Sequence, residues 1–97
     1  MPSIRLGVIG LGLIWLRAHK PTLATFQDAL TPLALCDTTA ERRATAASDF
    51  PNAQILTDYR ALLQLQEIDT VLVLTPIAYN APIALAALEA GKDVIME

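Results

Sequence analysis

Gly10 and Gly12 stand two residues apart behind the apolar run Ile4-Arg5-Leu6-Gly7-Val8-Ile9, and they are the residues best suited to chemistry in this chain. A buried strand that empties into closely spaced glycines brings main chain up against a ligand phosphate. Gly10 permits the tight turn, and Gly12 leaves no Cβ between backbone and pyrophosphate. Leu13 and Ile14 then open a helix whose unpaired N–H groups face negative charge. The ligand such a turn fits is a dinucleotide. The third small position of the pattern holds Trp15, whose indole is too large for the close helix–strand contact that a glycine allows.

Asp37 follows a second apolar run, Leu33-Ala34-Leu35-Cys36, and lies 25 residues beyond Gly12. A carboxylate there accepts from both ribose hydroxyls and repels a 2′-phosphate, which favours NAD over NADP. Aspartate at that place also commonly begins a turn ahead of a helix. Arg42 and Arg43 leave NADP open, because an arginine on the following helix pairs with a 2′-phosphate. Thr75-Pro76 forms a rigid strand end with a hydroxyl able to reach a cofactor. Asn80 is suited to cap the next helix. His19, beside Lys20, has a surface or packing role, and Trp15 is expected to cover apolar surface at a contact with another chain. Cys36 is the single cysteine, so it makes no intrachain disulfide and no zinc cluster, and its apolar setting suits a buried, inert thiol. No paired-carboxylate, Ser-His-Asp or metal-ligand arrangement is present.

Positioning these residues takes a regular alternation of strands and helices. Strands are expected at Ile4–Ile9, Leu33–Cys36, Ile55–Leu56, Thr70–Leu74 and from Asp93 to Met96. A helix from Leu13 should break near Lys20, ahead of Pro21, and resume from Thr22 to Ala29. Further helices are expected from Ala40 to Asp49, capped by Thr38 or Thr39, and after Thr57 or Asp58. The last runs from Asn80 to Ala90, with Gly91 as its C-terminal cap. Right-handed crossovers make this an α/β fold, a doubly wound parallel sheet of five strands in order 3-2-1-4-5. The glycine turn, Asp37, Thr75 to Asn80 and Glu97 then gather at the carboxyl ends of the strands, where open α/β sheets bind ligands.

The 97 residues suit one domain, and a composition 54% hydrophobic with 18% charged suits strands buried on both faces. Net charge is −3 with scattered basic residues, which argues against nucleic acid as a partner. The apolar stretch Leu6 to Leu16 is too short to cross a bilayer and offers no small-residue cleavage site, so neither membrane nor secretion is expected. A cytoplasmic location follows.

The ordered succession of Gly10-Leu-Gly12-Leu-Ile14, His19-Lys-Pro21, Cys36-Asp37, Thr57-Asp58-Tyr59-Arg-Ala-Leu62-Leu63, Ile68-Asp69-Thr-Val71, Thr75-Pro76, Ala87-Leu88-Glu-Ala-Gly91-Lys92-Asp-Val94 and Met96-Glu97 resembles the nucleotide-binding half of the Gfo/Idh/MocA oxidoreductases. The resemblance implies a Rossmann-like domain over residues 1–97 and an NAD(P)-dependent dehydrogenase acting on a sugar, polyol or related alcohol. By matching position, Gly10, Gly12, Leu13 and Ile14 would hold the pyrophosphate, Asp37 the adenosine ribose, and Thr75 and Pro76 the nicotinamide side. Asn80 stands where many members place a histidine. Glu97 would begin the family's Glu-Lys-Pro motif, whose lysine supports proton transfer. A chain that stops at Glu97, without that lysine and without a substrate domain, is expected to be inactive alone and to assemble as a homo-oligomer through its bare edge strand. Two other readings stand beside this one. The first is a non-catalytic module that has lost tight cofactor binding through Trp15. The second is an S-adenosylmethionine-dependent methyltransferase-like domain, against which Thr75-Pro76 and Glu97 argue.

Overall fold

The computed structural model describes residues 4–25 and 31–96. Strands Leu6–Ile9 (β1), Pro32–Cys36 (β2), Gln54–Leu56 (β3), Thr70–Val73 (β4) and Asp93–Met96 (β5) form one sheet in the order β3-β2-β1-β4-β5. Every pairing is parallel, as the expected doubly wound topology requires.

Strand periodicity divides the apolar side chains between two layers. Ile9, Ala34, Cys36, Val71 and Val73 point to one face, where they meet Leu62 and Leu63 of helix Tyr59–Leu63 and Ile83 and Ala87 of helix Ile77–Glu89. Their strand neighbours Leu6, Val8, Leu35 and Leu72 point to the other face and pack with Leu11, Trp15 and Ala46 of helix Ala40–Asp49. In chain order the α-helices are Lys20–Ala24 (α1), Ala40–Asp49 (α2), Tyr59–Leu63 (α3) and Ile77–Glu89 (α4). Strands buried on both faces account for the apolar runs, since neither side of the central sheet meets water.

Four local expectations are corrected. The first strand begins at Leu6, not Ile4; Ile4 and Arg5 are exposed, and Arg5 is tied to the start of β4 through Asp69. The expected break at Lys20 is absent. A π-helical turn, Trp15–His19, runs directly into α1, with the Lys20 N–H donating to the Trp15 carbonyl. Proline lacks an N–H and crowds the carbonyl four residues back. The wider turn ahead of Pro21 accommodates its ring while the dihedrals stay helical. Residues 26–29, the end of the expected second piece, lie outside the described residues.

The last helix starts at Ile77, with Pro76 as its N-cap residue, so Asn80 lies inside the helix and does not cap it. Pro76 has no N–H to satisfy and its extended ψ leads the chain into the first turn. Trp15 is not at a contact with another chain: it is 1% exposed, inside the second core layer, with its ring 6.1 Å from that of Phe50. The helix ends as expected. Gly91 has φ +81°, its N–H donates to Leu88 and that of Lys92 to Ala87, the paired bonds of a Schellman cap. No helix among the described residues is long and apolar enough to cross a membrane.

Candidate functional site

A cleft of about 990 Å³ opens at the carboxyl ends of β1, β2 and β4, at the point where the strand order reverses. Gly10, Gly12, Leu13, Ile14, Asp37, Thr75 and Pro76 all line it. Asn80 is not among the lining residues, and Glu97 lies outside the described residues.

The glycine turn is clamped from both sides. The Gly10 N–H donates to the Cys36 carbonyl at 2.9 Å, and the Leu74 N–H donates to Ile9 at 2.8 Å. Gly10 has φ +99°, and a Cβ there would stand 2.8 Å from the carbonyl carbon of Leu74. Only glycine fits both the dihedral and the space. Gly12 is different. A Cβ on it would meet only the Arg42 guanidinium, at 3.6 Å, so what glycine secures here is open floor in the cleft. The Leu16 N–H bonds back to Gly12, which starts the helix there; the N–H groups of Leu13 and Ile14 fall in its first turn, where helices have no internal acceptor. Main-chain donors, the positive end of a helix and a floor without side chain together make an anion cradle.

Asp37 is 8% exposed, and both its carboxylate oxygens are engaged by main chain. Oδ2 accepts from the Leu11 N–H at 2.8 Å, and Oδ1 from the Thr39 N–H at 2.7 Å. It therefore braces the glycine turn and holds the N–H of Thr39, the N-cap residue of α2, whose own hydroxyl makes no cap bond. The sequence reading of Asp37 as a ribose acceptor or a turn former missed this cross-strand tie, which only the adjacency of β1 and β2 creates. Arg43 donates to the Asp37 carbonyl at 2.9 Å, while Arg42 Nη1 lies 3.9 Å from Asp37 Oδ2.

Thr75 and Asn80 form a pair at the other end of the cleft. The Thr75 hydroxyl donates to Asn80 Oδ1 at 2.6 Å, so buried Asn80 reaches the site through Thr75. The Cys36 thiol also borders the cleft, but burial, reinforced by the Asp37 and Asp58 carboxylates against a weaker pull from Arg43, pushes its pKa up to about 11. It stays a neutral thiol. Trp15 does not enter the cleft: it lines a separate cavity of about 220 Å³ on the far side of Gly12 and Arg42. Among the described residues no three His, Cys, Asp or Glu side chains gather as a metal-ligand set.

A protein-family model described as an oxidoreductase family with an NAD-binding Rossmann fold matches residues 4–97. Over 98% of its length the chain is 35% identical to a dTDP-3,4-didehydro-2,6-dideoxy-alpha-D-glucose 3-reductase of Streptomyces violaceoruber, covering 27% of that protein. It is 30% identical, again over 98% of its length, to an inositol 2-dehydrogenase of Corynebacterium glutamicum, covering 28% of it. The chain thus spans about a quarter of the length of the curated relatives it matches. Among solved structures, a variant of a 3-ketoreductase from Actinomadura kijaniata, in complex with TDP-benzene and NADP, superposes with a TM-score of 0.86 at 30% identity, over 97% of this chain and 28% of that one.

Proposed function

The chain belongs to the Gfo/Idh/MocA oxidoreductase family, and from that premise we propose that it forms the NAD(P)-binding part of an enzyme moving hydride between nicotinamide and the carbon of a sugar, polyol or related alcohol. The observation that carries the reading is the cleft floor at Gly12, bare of side chain and bordered by the first-turn N–H groups of Leu13 and Ile14.

In this reading the Leu13 and Ile14 N–H groups donate to pyrophosphate oxygens, with Gly10 holding the turn in shape. Asp37 offers its remaining lone pairs to the adenosine ribose. Thr75, oriented by Asn80, and Pro76 border the nicotinamide side. The bound nicotinamide supplies or takes up the hydride. The sugar and polyol relatives support the substrate class. Trp15, the ground for expecting lost cofactor affinity, lies outside the cleft.

Self-association belongs to the same reading. Among the described residues β5 pairs only with β4, and Ile95 and Met96 on it are exposed, as are Leu85 and Leu88 on α4. Sedimentation should find dimers or larger species; a monodisperse monomer contradicts this part.

Titration of the 97-residue chain into NADH, followed by nicotinamide fluorescence, tests the binding claim. A saturable change without turnover of inositol or of keto sugars is the expected result. Unchanged fluorescence at millimolar protein would contradict it.

A further inference from the structure

We propose that the first turn of α4, residues 77–81, is a hinged flap at the mouth of the cofactor cleft, with Pro82 as its hinge and the Thr75–Asn80 hydrogen bond as its latch. What the flap closes on rests on the dinucleotide reading above; the hinge itself does not.

Pro82 is the sixth of the 13 residues of α4, inside the helix rather than at its start. A proline there has no N–H to give the Ala78 carbonyl four residues back, and its ring crowds that carbonyl. It also disfavours helical dihedrals at Ala81, the residue before it. The helix is therefore weakest where its first turn joins the rest. The two parts are held very differently. Beyond Pro82, Ile83, Ala84 and Ala87 are buried, and the cap at Gly91 closes the far end. Ahead of Pro82 only Asn80 is buried. Ile77 is 88% exposed and Tyr79 61%.

Polar bonds tie this turn to the end of β4 where apolar packing does not. The Tyr79 N–H donates to the Pro76 carbonyl at 2.8 Å, and the Thr75 hydroxyl donates to Asn80 Oδ1 at 2.6 Å. A segment with so little apolar contact opens at low cost, which is the stock from which lids over binding sites are drawn. Its place suits that use. Pro76 and Tyr79 line the same cleft as Gly12, Leu13 and Ile14. A pivot at Pro82 moves the Tyr79 ring toward a bound ligand or away from it. Closing takes that ring out of water against the ligand, so the closed state gains only when the cleft is filled.

Amide hydrogen exchange of the full chain, read residue by residue by NMR, tests the hinge. The rates at Tyr79, Asn80 and Ala81 are taken relative to Ala87 in the core, so that a change in global stability cancels. In wild type the ratio should exceed about tenfold, and saturating NADH should lower it by about tenfold. Pro82→Ala, which restores the missing main-chain bond, should lower the ratio to a similar degree without ligand and leave little for NADH to add. Thr75→Val, which breaks the latch, should raise it. An unchanged ratio in Pro82→Ala means ordinary fraying of a helix end and overturns the hinge. NADH that binds by its fluorescence without slowing these amides overturns the closure and leaves the dinucleotide reading intact. Chain that binds no NADH overturns that reading and the closure with it, while Pro82→Ala still judges the hinge.

Discussion

The carboxylate of Asp37 accepts the main-chain N–H of Leu11 at 2.8 Å, joining the end of β2 to the residue between the two glycines of the turn after β1. The bond is buried and spans 26 residues of sequence. It makes the shape of the anion cradle depend on the residue expected to meet the ribose, so the two halves of the site are one mechanical unit.

Replacing Asp37 should therefore affect folding and binding together. Asp37→Ala leaves two main-chain N–H groups without acceptors and should destabilise the chain by about 2 kcal/mol in urea unfolding. Asp37→Asn keeps one acceptor and should lose less stability. If Asp37→Ala unfolds at the wild-type urea concentration, the brace is not structural.

The two glycines should separate folding from binding. Gly10→Ala forces a Cβ into the main chain of Leu74 at positive φ, and should lower stability by at least about 2 kcal/mol. Gly12→Ala meets only the end of the Arg42 side chain and should unfold within about 0.5 kcal/mol of wild type. Thermal unfolding of the two variants side by side distinguishes them, and equal destabilisation would contradict the account.

Trp15 is a core residue of the layer opposite the helices α3 and α4, so its removal should be felt in stability. Trp15→Ala should cost about 3–5 kcal/mol. Trp15→Phe should cost less and leave NAD affinity within about threefold, since the ring lies outside the cleft. A large loss of NAD affinity in a folded Trp15→Phe chain would place the indole in the site after all.

The Cys36 thiol gives the stability a pH dependence at the alkaline end. Its pKa rises from 9.0 to about 11 on folding, so the folded chain holds the thiol proton more tightly than the unfolded one. Its contribution is complete below pH 9 and is lost as pH climbs toward 11. Urea midpoints should fall across that window in wild type and fall less in Cys36→Ala. At pH 8 an alkylating reagent should label unfolded chain and spare folded chain.

Much of this arrangement was legible because it is local. The glycine turn, the β-rich run ending at Thr75, the helix Ala40–Asp49 and the cap at Gly91 each follow from chemistry within a few residues. The strand order follows from handedness once the alternation is seen. What was not legible depends on residues far apart in sequence. Trp15 is buried because Leu35, Leu72 and Phe50 meet it from other elements, and no pattern around it announces that. Asp37 becomes a brace only when β1 and β2 are neighbours. Arg42 reaches Gly12 because helical side chains lean toward the N-terminus and α2 begins beside the turn, a direction that periodicity alone could have suggested. Asn80 shows the converse: a good capping residue is drawn into the helix when the proline four residues earlier starts it first.

The most direct test is calorimetric titration of the 97-residue chain with NAD, beside Gly12→Val. One saturable site with a Kd of micromolar order, about −8 kcal/mol, is expected for the wild type, with binding abolished when valine fills the cleft floor. No heat of binding at millimolar NAD, or undiminished affinity in Gly12→Val, would contradict the claim that the bare main chain at Gly12 receives the dinucleotide.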